Sequence, residues 1–447
     1  MARSTIMPSG GVPLGMSTSE PVTQGSAAVT AGITLEQPRS RRRFGALRHR
    51  DFAIFWTSLI VSNTGTWMQL VATGFLMYDL TGSKAMLGMI GLASAIPLLA
   101  FPLIGGVVAD RVDRVRLLYC TQGTQALLAL GLAVLVSSRL VQPWHLLAYS
   151  LVTATLQAFD QPARRALTPD LVPKEDLMSA NSLESAQFNG AAFTGPALYG
   201  LLVPFIGVAG AFYVNALSYG AVLGALAVIR VPRRPASPGG GTMLQSLVDG
   251  LRYVRGHPVL WTLVLLTAVT SLFARSYTQL LPAFIRDVLA PDQPQEQQLI
   301  YQSYLTSAAG AGTLLGAFSL AAFGGVRRKG RFLLGSVLAF AFLLAAFALS
   351  RWYLLSAILL VGIGAVNLSF SATTSTLLQT IAPAHLRARV LSLHMLSFRG
   401  FTPLGSALLG PLADGIGAPG AVLCGALLVL AAALLLVAPR EQIRELD

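Results

Sequence analysis

Long apolar runs separated by short polar or charged segments dominate the sequence from about residue 50 to residue 438. Many of them reach about 20 residues, the length that an α-helix needs to cross a hydrocarbon layer roughly 30 Å thick. Lipid accommodates only internally hydrogen-bonded helices or closed barrels, and these runs are too long for barrel strands. The pattern therefore predicts an all-α membrane protein.

Twelve runs meet this criterion, and we number them as predicted spans 1 to 12. Their approximate limits are 53–79, 85–109, 116–137, 144–163, 181–204, 208–229, 259–283, 300–324, 332–350, 352–378, 390–412 and 418–438. The segments around them predict a disordered cytoplasmic tail over 1–43, helical bundles over 44–229 and 259–438, a linker over 230–258 and a cytoplasmic tail over 439–447. Helical spacing of apolar residues from Leu244 to Val254 predicts an amphipathic surface helix in that linker, although an ordinary linker with a chance stripe fits as well.

Positive charge is unevenly distributed among the segments between the predicted spans. Of the 32 lysines and arginines, the loops on one side hold only Lys84, Arg139, Arg286 and Arg351. Because basic loops stay in the cytoplasm, both termini are predicted to be cytoplasmic. The net charge of +13 does not indicate a nucleic-acid partner, since the basic residues lie between apolar runs rather than on one solvated face.

Nothing in the sequence indicates an enzyme or a resident cofactor. A Gly-Lys-Ser/Thr phosphate loop does not occur, so ATP hydrolysis is not expected. The two cysteines, Cys120 and Cys424, both lie in apolar runs and imply neither a disulfide framework nor a metal site.

An internal repeat relates the two halves of the chain. Gly195, Gly200, Gly207 and Gly210 recur 210 residues later as Gly405, Gly410, Gly417 and Gly420, and eight further identities share this displacement. Parallel repeats of this kind are typical of transporters that bind substrate near the bilayer midplane, between the halves. The repeat predicts two pseudo-symmetric six-helix bundles.

The loop between spans 2 and 3 carries a charged motif, GGVVADRVDR, over 105–114. It resembles the signature of the major facilitator superfamily through Gly106, Val108, Ala109, Asp110, Arg111 and Arg114. Within that superfamily, the segments 62–83, 158–173 and 275–289 are similar to the transmembrane secretion effector branch, which includes the enterobactin exporter and macrolide efflux proteins.

The resemblance implies a conformational latch formed by Gly106, Asp110, Arg111 and Arg114. Carboxylates are stabilised by the unpaired N–H groups at a helix N-terminus, and the family's partner is the eleventh helix, which here begins near 386–390. The arginines can hold the carboxylate or anchor to anionic headgroups. A loop charged only to satisfy topology is the alternative.

Gly195, Pro196 and Gly200 resemble the antiporter motif of the fifth helix. Small residues there let helices approach closely, and the proline frees a backbone carbonyl. A pure packing role and an antiport-specific role remain equally open.

Five polar residues within the spans are predicted to line a substrate cavity: Asn63, Gln125, Asn189, Arg275 and Arg399. An arginine near the midplane costs at least about 2.5 kcal/mol unless it faces water or protein partners. For Arg275, a snorkelling side chain without further function is the alternative.

Proton coupling is predicted at Glu184 and His394, which occupy equivalent repeat positions and could face each other across the cavity. The alternative is that Glu184 only favours its helix N-terminus and His394 only packs at an interface. Asp160 and Arg164 are predicted to form a local i, i+4 ion pair, and Asp79 is expected to be solvated.

These observations and the family resemblance together predict a monomeric secondary active exporter in the lipid bilayer of a bacterial inner membrane. The resemblance implies that the cargo is an amphipathic drug, macrolide or siderophore and that the exchanged ion is the proton. An importer of a small nutrient and a non-transporting membrane sensor are the alternatives.

Overall fold

Helices account for every regular element in the part of the chain that the structure describes, a computed structural model. That part comprises residues 45–101, 112–231, 243–322, 328–438 and 440, and the side chains of residues 243–249 and 322 lie outside the description. The predicted tails therefore lie almost entirely outside it.

The main helices of the first half are α1 (Arg50–Thr81), α2 (Lys84–Ala100), α3 (Arg114–Ser137), α4 (Pro143–Leu171) and α5 (Leu177–Val228). A helix α6 (Met243–Gly256) follows in the predicted linker. The second half contains α7 (Pro258–Val269), α8 (Tyr277–Phe284), α9 (Gln295–Ala322), α10 (Lys329–Leu349), α11 (Tyr353–Ile381) and α12 (Arg387–Leu436). Two π-helical turns, Thr270–Ala274 and Ile285–Leu289, join α7 and α8 into one apolar rod and extend it.

Two helices are much longer than a membrane is thick, and each bends at a glycine with positive φ. Helix α5 bends at Gly207 (φ 59°) and α12 bends at Gly417 (φ 80°). Because L-residues avoid this region and glycine does not, glycine allows each bend at little cost. Because neither glycine is helical, α5 and α12 each consist of two helical arms, and these arms match the residue ranges predicted as spans 5 and 6 and as spans 11 and 12.

Different helices form the contacts within each half and the contacts between the two halves. Helix α5 packs along α1 and α3, while α9 packs along α11, and α12 packs against α10 and the α7–α8 rod. Among the described residues, the most extensive contacts between the halves are those of α2 with α12 and of α5 with α9, and smaller contacts join α1 to α8 and α9 and join α2 to α8. Helix α6 lies against the start of α12, where a Cβ on Gly250 would be 3.1 Å from Arg389 Cβ.

Large apolar side chains cover much of the outer surface. Phe205, Leu217, Phe342 and Leu435 are each at least 74% exposed. Within the described ranges of the chain, six helical segments are long and apolar enough to span a membrane by length and composition. Such a surface suits contact with lipid, since it would be costly in water.

Candidate substrate cavities and the family of the chain

A first cavity, of about 320 Å³, lies among helices α1 to α5, and we call it the ion-pair cavity. Asn63 and Gln125, both predicted to line a cavity, are among its lining residues. Gln125 is buried and accepts a hydrogen bond from the Tyr219 hydroxyl (3.2 Å). The lining of the ion-pair cavity therefore includes polar side chains, although the cavity lies among long apolar helices.

Asp160 and Arg164 form the predicted i, i+4 ion pair, and both line this cavity. Asp160 is only 2% exposed and also accepts hydrogen bonds from Thr121 Oγ1 (2.8 Å) and Gln122 Nε2 (2.7 Å) of α3. A buried carboxylate is tolerated when it is paired and fully hydrogen-bonded. The ion pair thus contributes no net charge to the cavity.

A second network of neutral polar groups joins α1 to α5 beside the same cavity. Asn215 Nδ2 donates to Gln69 Oε1 (2.5 Å), and Thr66 Oγ1 donates to Asn215 Oδ1 (3.3 Å). All three residues line the ion-pair cavity. Their side chains offer both donors and acceptors to a bound molecule.

A second cavity, of about 270 Å³, lies where α1 meets the second half, and we call it the arginine cavity. Arg275 lines it, as predicted, and donates from Nη1 to Asn367 Oδ1 of α11 (3.1 Å). The guanidinium carbon lies 3.9 Å from the ring centre of Phe398, a distance typical of cation–π contacts. The Nε–H of Arg275 is buried without a hydrogen-bond partner among the described residues.

The arginine cavity combines this charge with neutral polar and apolar walls. Gln302 Nε2 donates to the Val71 carbonyl (3.3 Å), while its buried Oε1 has no partner among the described residues. Trp67, Leu70, Gly74 and Gln279 line both cavities. One wall, formed mainly by α1, therefore separates the two cavities.

Two predicted cavity residues lie outside the lining of both cavities as described. Asn189 donates its side-chain N–H to the carbonyl of Ser185 on its own helix (2.8 Å). Arg399 is exposed on α12, directly after the Phe398 ring that contacts Arg275.

Glu184 and His394 contact different helices. Glu184 accepts a hydrogen bond from Thr168 of α4. His394 is buried and lies with Nδ1 3.4 Å from Thr267 Oγ1 of α7. The structure therefore gives each residue a partner within its own half of the chain.

The predicted packing motif lies at two helix contacts. A Cβ on Gly195 would lie 2.7 Å from both the Thr64 carbonyl oxygen and Trp67 Cβ, so α5 touches α1 there. Pro196 is buried, and a Cβ on Gly200 would lie 3.2 Å from the ring of Tyr304 of α9. These positions lie in close contacts between helices, as a packing role requires.

Of the predicted latch, Gly106, Asp110 and Arg111 lie outside the described residues. Arg114 donates from Nη1 to Asp170 Oδ2 (2.6 Å) and to the Ala166 carbonyl (3.0 Å), and so ties the start of α3 to the end of α4.

At the end of the molecule where α1 stops and α2 starts, eight residues form what we call the polar end cluster. It consists of Tyr78, Asp79, Ser83, Lys84, Arg286, Asp287, Gln295 and Asp414. Asp414 of α12 accepts from the backbone N–H groups of Lys84 (2.7 Å) and Ala85 (3.0 Å), and from Ser83 Oγ (3.0 Å). It thereby caps the N-terminus of α2, a helix of the other half.

Further contacts of this cluster also join the halves. Asp287 accepts from the Tyr78 hydroxyl (2.8 Å) and pairs with Lys84 Nζ (2.9 Å). Asp79, expected from the sequence to be solvated, instead accepts from Arg286 Nη1 (2.9 Å) and from Gln295 Nε2. No local pattern indicated these partners because they come from the other half of the chain, and the Asp79 side chain remains partly exposed.

Sequence reasoning missed the cavity position of Asp160 and the role of Asp414. The available signal for Asp160 was its position within an apolar run, where a carboxylate usually has a functional role. The i, i+4 spacing to Arg164 had suggested only a local ion pair. Asp414 gave no comparable signal, because its partners lie about 330 residues earlier.

Relatives of the chain are membrane transporters. The chain is 27% identical to the multidrug efflux pump Tap of Mycolicibacterium fortuitum, over 80% of this chain and 88% of the pump. It is 26% identical to the enterobactin exporter EntS of Shigella dysenteriae, over 69% of this chain and 72% of the exporter.

Solved structures share the fold at low sequence identity. The crystal structure of the nucleoside transporter NupG matches with a TM-score of 0.67 at 15% identity, over 87% of this chain and 98% of that one. A bacterial homologue of the lysosomal transporter Spinster, inward-facing and unoccupied, matches with a TM-score of 0.62 at 17% identity, over 87% and 95%.

A family model covers nearly all of the helical region. The model described as transmembrane secretion effector matches residues 42–447. Together with the apolar helices and the transporter relatives, this match confirms the resemblance noted in the loop motif. The chain is a membrane transporter, not an enzyme, and it belongs to the transmembrane secretion effector family of the major facilitator superfamily.

Proposed function

We propose that this transporter is a proton-coupled exporter of amphipathic small molecules that works by alternating access. The observation that carries the proposal is a pair of cavities that lie among apolar helices and are lined partly by polar side chains. At one end of the molecule, hydrogen bonds and an ion pair connect the two halves. Relatives named as a multidrug efflux pump and an enterobactin exporter favour outward transport.

The proposed architecture is twelve spans in two six-helix bundles. The bends at Gly207 and Gly417 support it, because each divides a helix of about fifty residues into two arms of spanning length. With both termini in the cytoplasm, the polar end cluster lies at the outer face. A single chain supplies both cavities, which favours a monomer.

In this mechanism the cargo enters from the cytoplasm and contacts the arginine and ion-pair cavities. Rearrangement of the halves then breaks the polar end cluster and closes the inner side, where Asp110 would cap the start of α12. Each state is favoured by contacts that the other state lacks, as any two-state equilibrium requires.

Glu184 is our candidate for the proton site, with His394 as a second titratable group on α12. Its carboxylate accepts from Thr168, and Arg164 and Arg165 of α4 are close enough to influence it electrostatically. Protonation of Glu184 would weaken this attraction to α4 and so change the balance between the two states.

Everted membrane vesicles provide the test. Growth of an overexpressing strain on varied antibiotics, with siderophore measured in the medium, first identifies a transported compound. We expect acid-loaded everted vesicles to accumulate that compound and to lose the accumulation when an uncoupler collapses the pH gradient.

Variants separate coupling from transport. Glu184→Gln should transport down a concentration gradient yet no longer respond to the pH gradient, whereas Asp292→Asn, at an exposed position, should behave as the unmodified protein. Accumulation that ignores the gradient would contradict proton antiport, and uptake only into right-side-out vesicles would indicate an importer. Absence of transport in both preparations would favour the sensor.

A further inference from the structure

The described side chains that line the two cavities carry one uncompensated charge. Asp160, Arg164 and Arg275 are the lining residues that are charged at neutral pH. Asp160 and Arg164 neutralise each other. Among the described residues no carboxylate pairs with Arg275, so the arginine cavity is positively charged.

The surroundings of Arg275 hold its side chain in place without neutralising it. The amide oxygen of Asn367 accepts one hydrogen bond, and the face of Phe398 covers the guanidinium. Both partners are uncharged, and the Nε–H still lacks an acceptor among the described residues. A structural arginine inside a membrane protein normally has a carboxylate or several carbonyls around it. A bound anion would supply what is missing.

We propose that the arginine cavity binds an oxyanion, of which a carboxylate is the simplest, on an otherwise apolar cargo. Arg275 is then the residue that determines specificity for charge, because a planar guanidinium presents parallel N–H donors that match a carboxylate. This assignment rests on the proposed function and names its substrate class.

The rest of the same cavity suits the remainder of such a molecule. Trp67, Leu70, Phe340 and Ile363 provide apolar and aromatic walls for its body. The unpartnered Oε1 of Gln302 can accept a hydrogen bond from a hydroxyl group of the cargo. A positively charged molecule would instead bring its charge close to Arg275 in a poorly screened environment, which is unfavourable.

Three ligands with one apolar body test the assignment: 1-naphthylacetate, its neutral amide, and the corresponding 1-naphthylethylammonium. Their binding to the full-length protein, purified in detergent, is measured by calorimetry at neutral pH. We expect the carboxylate to bind at least about tenfold more tightly than the amide, as a charge-assisted hydrogen bond implies, and the ammonium to bind most weakly.

Substitutions then assign the preference to one side chain. Arg275→Gln should weaken binding of the carboxylate at least about tenfold and change binding of the amide little. Arg275→Lys keeps the positive charge, so the three ligands should keep the same order of affinity, with smaller differences in affinity between them. Arg351→Gln removes a positive charge at an exposed position outside both cavities and should change nothing.

Several results would overturn the assignment. These are equal affinity for all three ligands, no measurable binding of the carboxylate, or an unchanged preference in Arg275→Gln. If Arg275→Gln does not fold, the ligand order in the unmodified protein and in Arg275→Lys decides. If the carboxylate binds but is not transported in vesicles, the proposed export is refuted and the oxyanion assignment stands. If cations are transported and the ammonium binds most tightly, the oxyanion assignment is refuted and the proposed export stands.

Discussion

Gly207 and Gly417 show the internal repeat at the level of single residues. They are separated by the displacement that relates the two halves in sequence, and both adopt positive φ in the middle of a long helix. Neither glycine is crowded: a Cβ on Gly207 would meet no atom within 4 Å, and a Cβ on Gly417 would meet only Pro419 Cδ, at 3.6 Å. Backbone conformation, rather than crowding, therefore requires glycine at both positions.

Substitution of either glycine tests this requirement. We expect Gly207→Ala and Gly417→Ala each to destabilise the protein by about 1–3 kcal/mol, because both glycines combine positive φ with ψ near 180°, a conformation that is essentially restricted to glycine. Thermal unfolding in detergent should show a lower midpoint for both. Gly220→Ala, in ordinary helical conformation with open space around it, serves as the control and should not be destabilised.

Which polar residue meets which partner was the least predictable feature at this scale. The Asp160–Arg164 pair was predictable, because both residues lie one turn apart on the same helix. The partners of Asp79, Asp414 and Arg275 come from distant parts of the chain, so no local pattern could indicate them. Asn189 and Arg399 had the right type and depth for a cavity, but rotation about a helix axis decides which side chains face inward.

At the scale of helices, close contacts at small residues determine how near two backbones come. Helix α5 touches α1 at Gly195 and touches α9 at Gly310, where a Cβ would lie 2.6 Å from the Ala192 carbonyl oxygen. The first contact is internal to one half, whereas the second joins the halves. Any added atom at Gly310 would therefore affect the interface that must rearrange during transport.

Helix α5 also offers a matched pair of glycines for a stability test. We expect Gly195→Ala to cost about 1–3 kcal/mol, because its Cβ would clash with the backbone of α1. Gly190→Ala meets nothing within 4 Å and should be neutral or gain up to about 1 kcal/mol from helix propensity. Apparent melting temperatures in one detergent compare the two. Equal melting temperatures would show that α5 and α1 can separate at no cost.

Helix positions were largely predictable, because the length of an apolar run is a local property. The ends of α1, α3, α10 and α11 fall within a few residues of the predicted limits. The predicted boundaries between spans 5 and 6 and between spans 11 and 12 coincide with Gly207 and Gly417, whose backbone is not helical, so that one helical arm ends and the next begins at each glycine. No sequence pattern indicated the π-helical turn Thr270–Ala274, which directly precedes Arg275.

At the scale of the whole molecule, the polar end cluster contains an aspartate that caps a helix of the other half, the role that the sequence suggested for Asp110 at the proposed inner end. Asp110 was expected to cap the first turn of one helix from another. Asp414 has this geometry toward α2, across the two halves. If both caps act, each aspartate stabilises closure of one end, and the two should have opposite effects on conformation.

The distance between two spin labels tests whether the two aspartates have opposite effects on the conformation. Labels at Leu80→Cys and Ile416→Cys, both exposed near the polar end cluster, are introduced after replacement of Cys120 and Cys424 by serine. Asp414→Ala should lengthen the distance by favouring the state that is open at this end. Asp110→Ala should favour the short distance.

Asp292→Ala, on an exposed loop, is the control for the loss of one negative charge. An unchanged distribution in Asp414→Ala, or shifts of the same sign in both variants, would contradict two opposing caps.

The single uncompensated guanidinium of the arginine cavity also has an electrical consequence. A monoanion bound at Arg275 would make the loaded cavity neutral, whereas the empty cavity carries one positive charge. Moving one elementary charge through the full field is worth about 2.3 kcal/mol per 100 mV. In a cell whose interior is negative, voltage would act on the return of the empty carrier and draw it back toward the cytoplasm. Anion export would then be driven partly by the membrane potential itself.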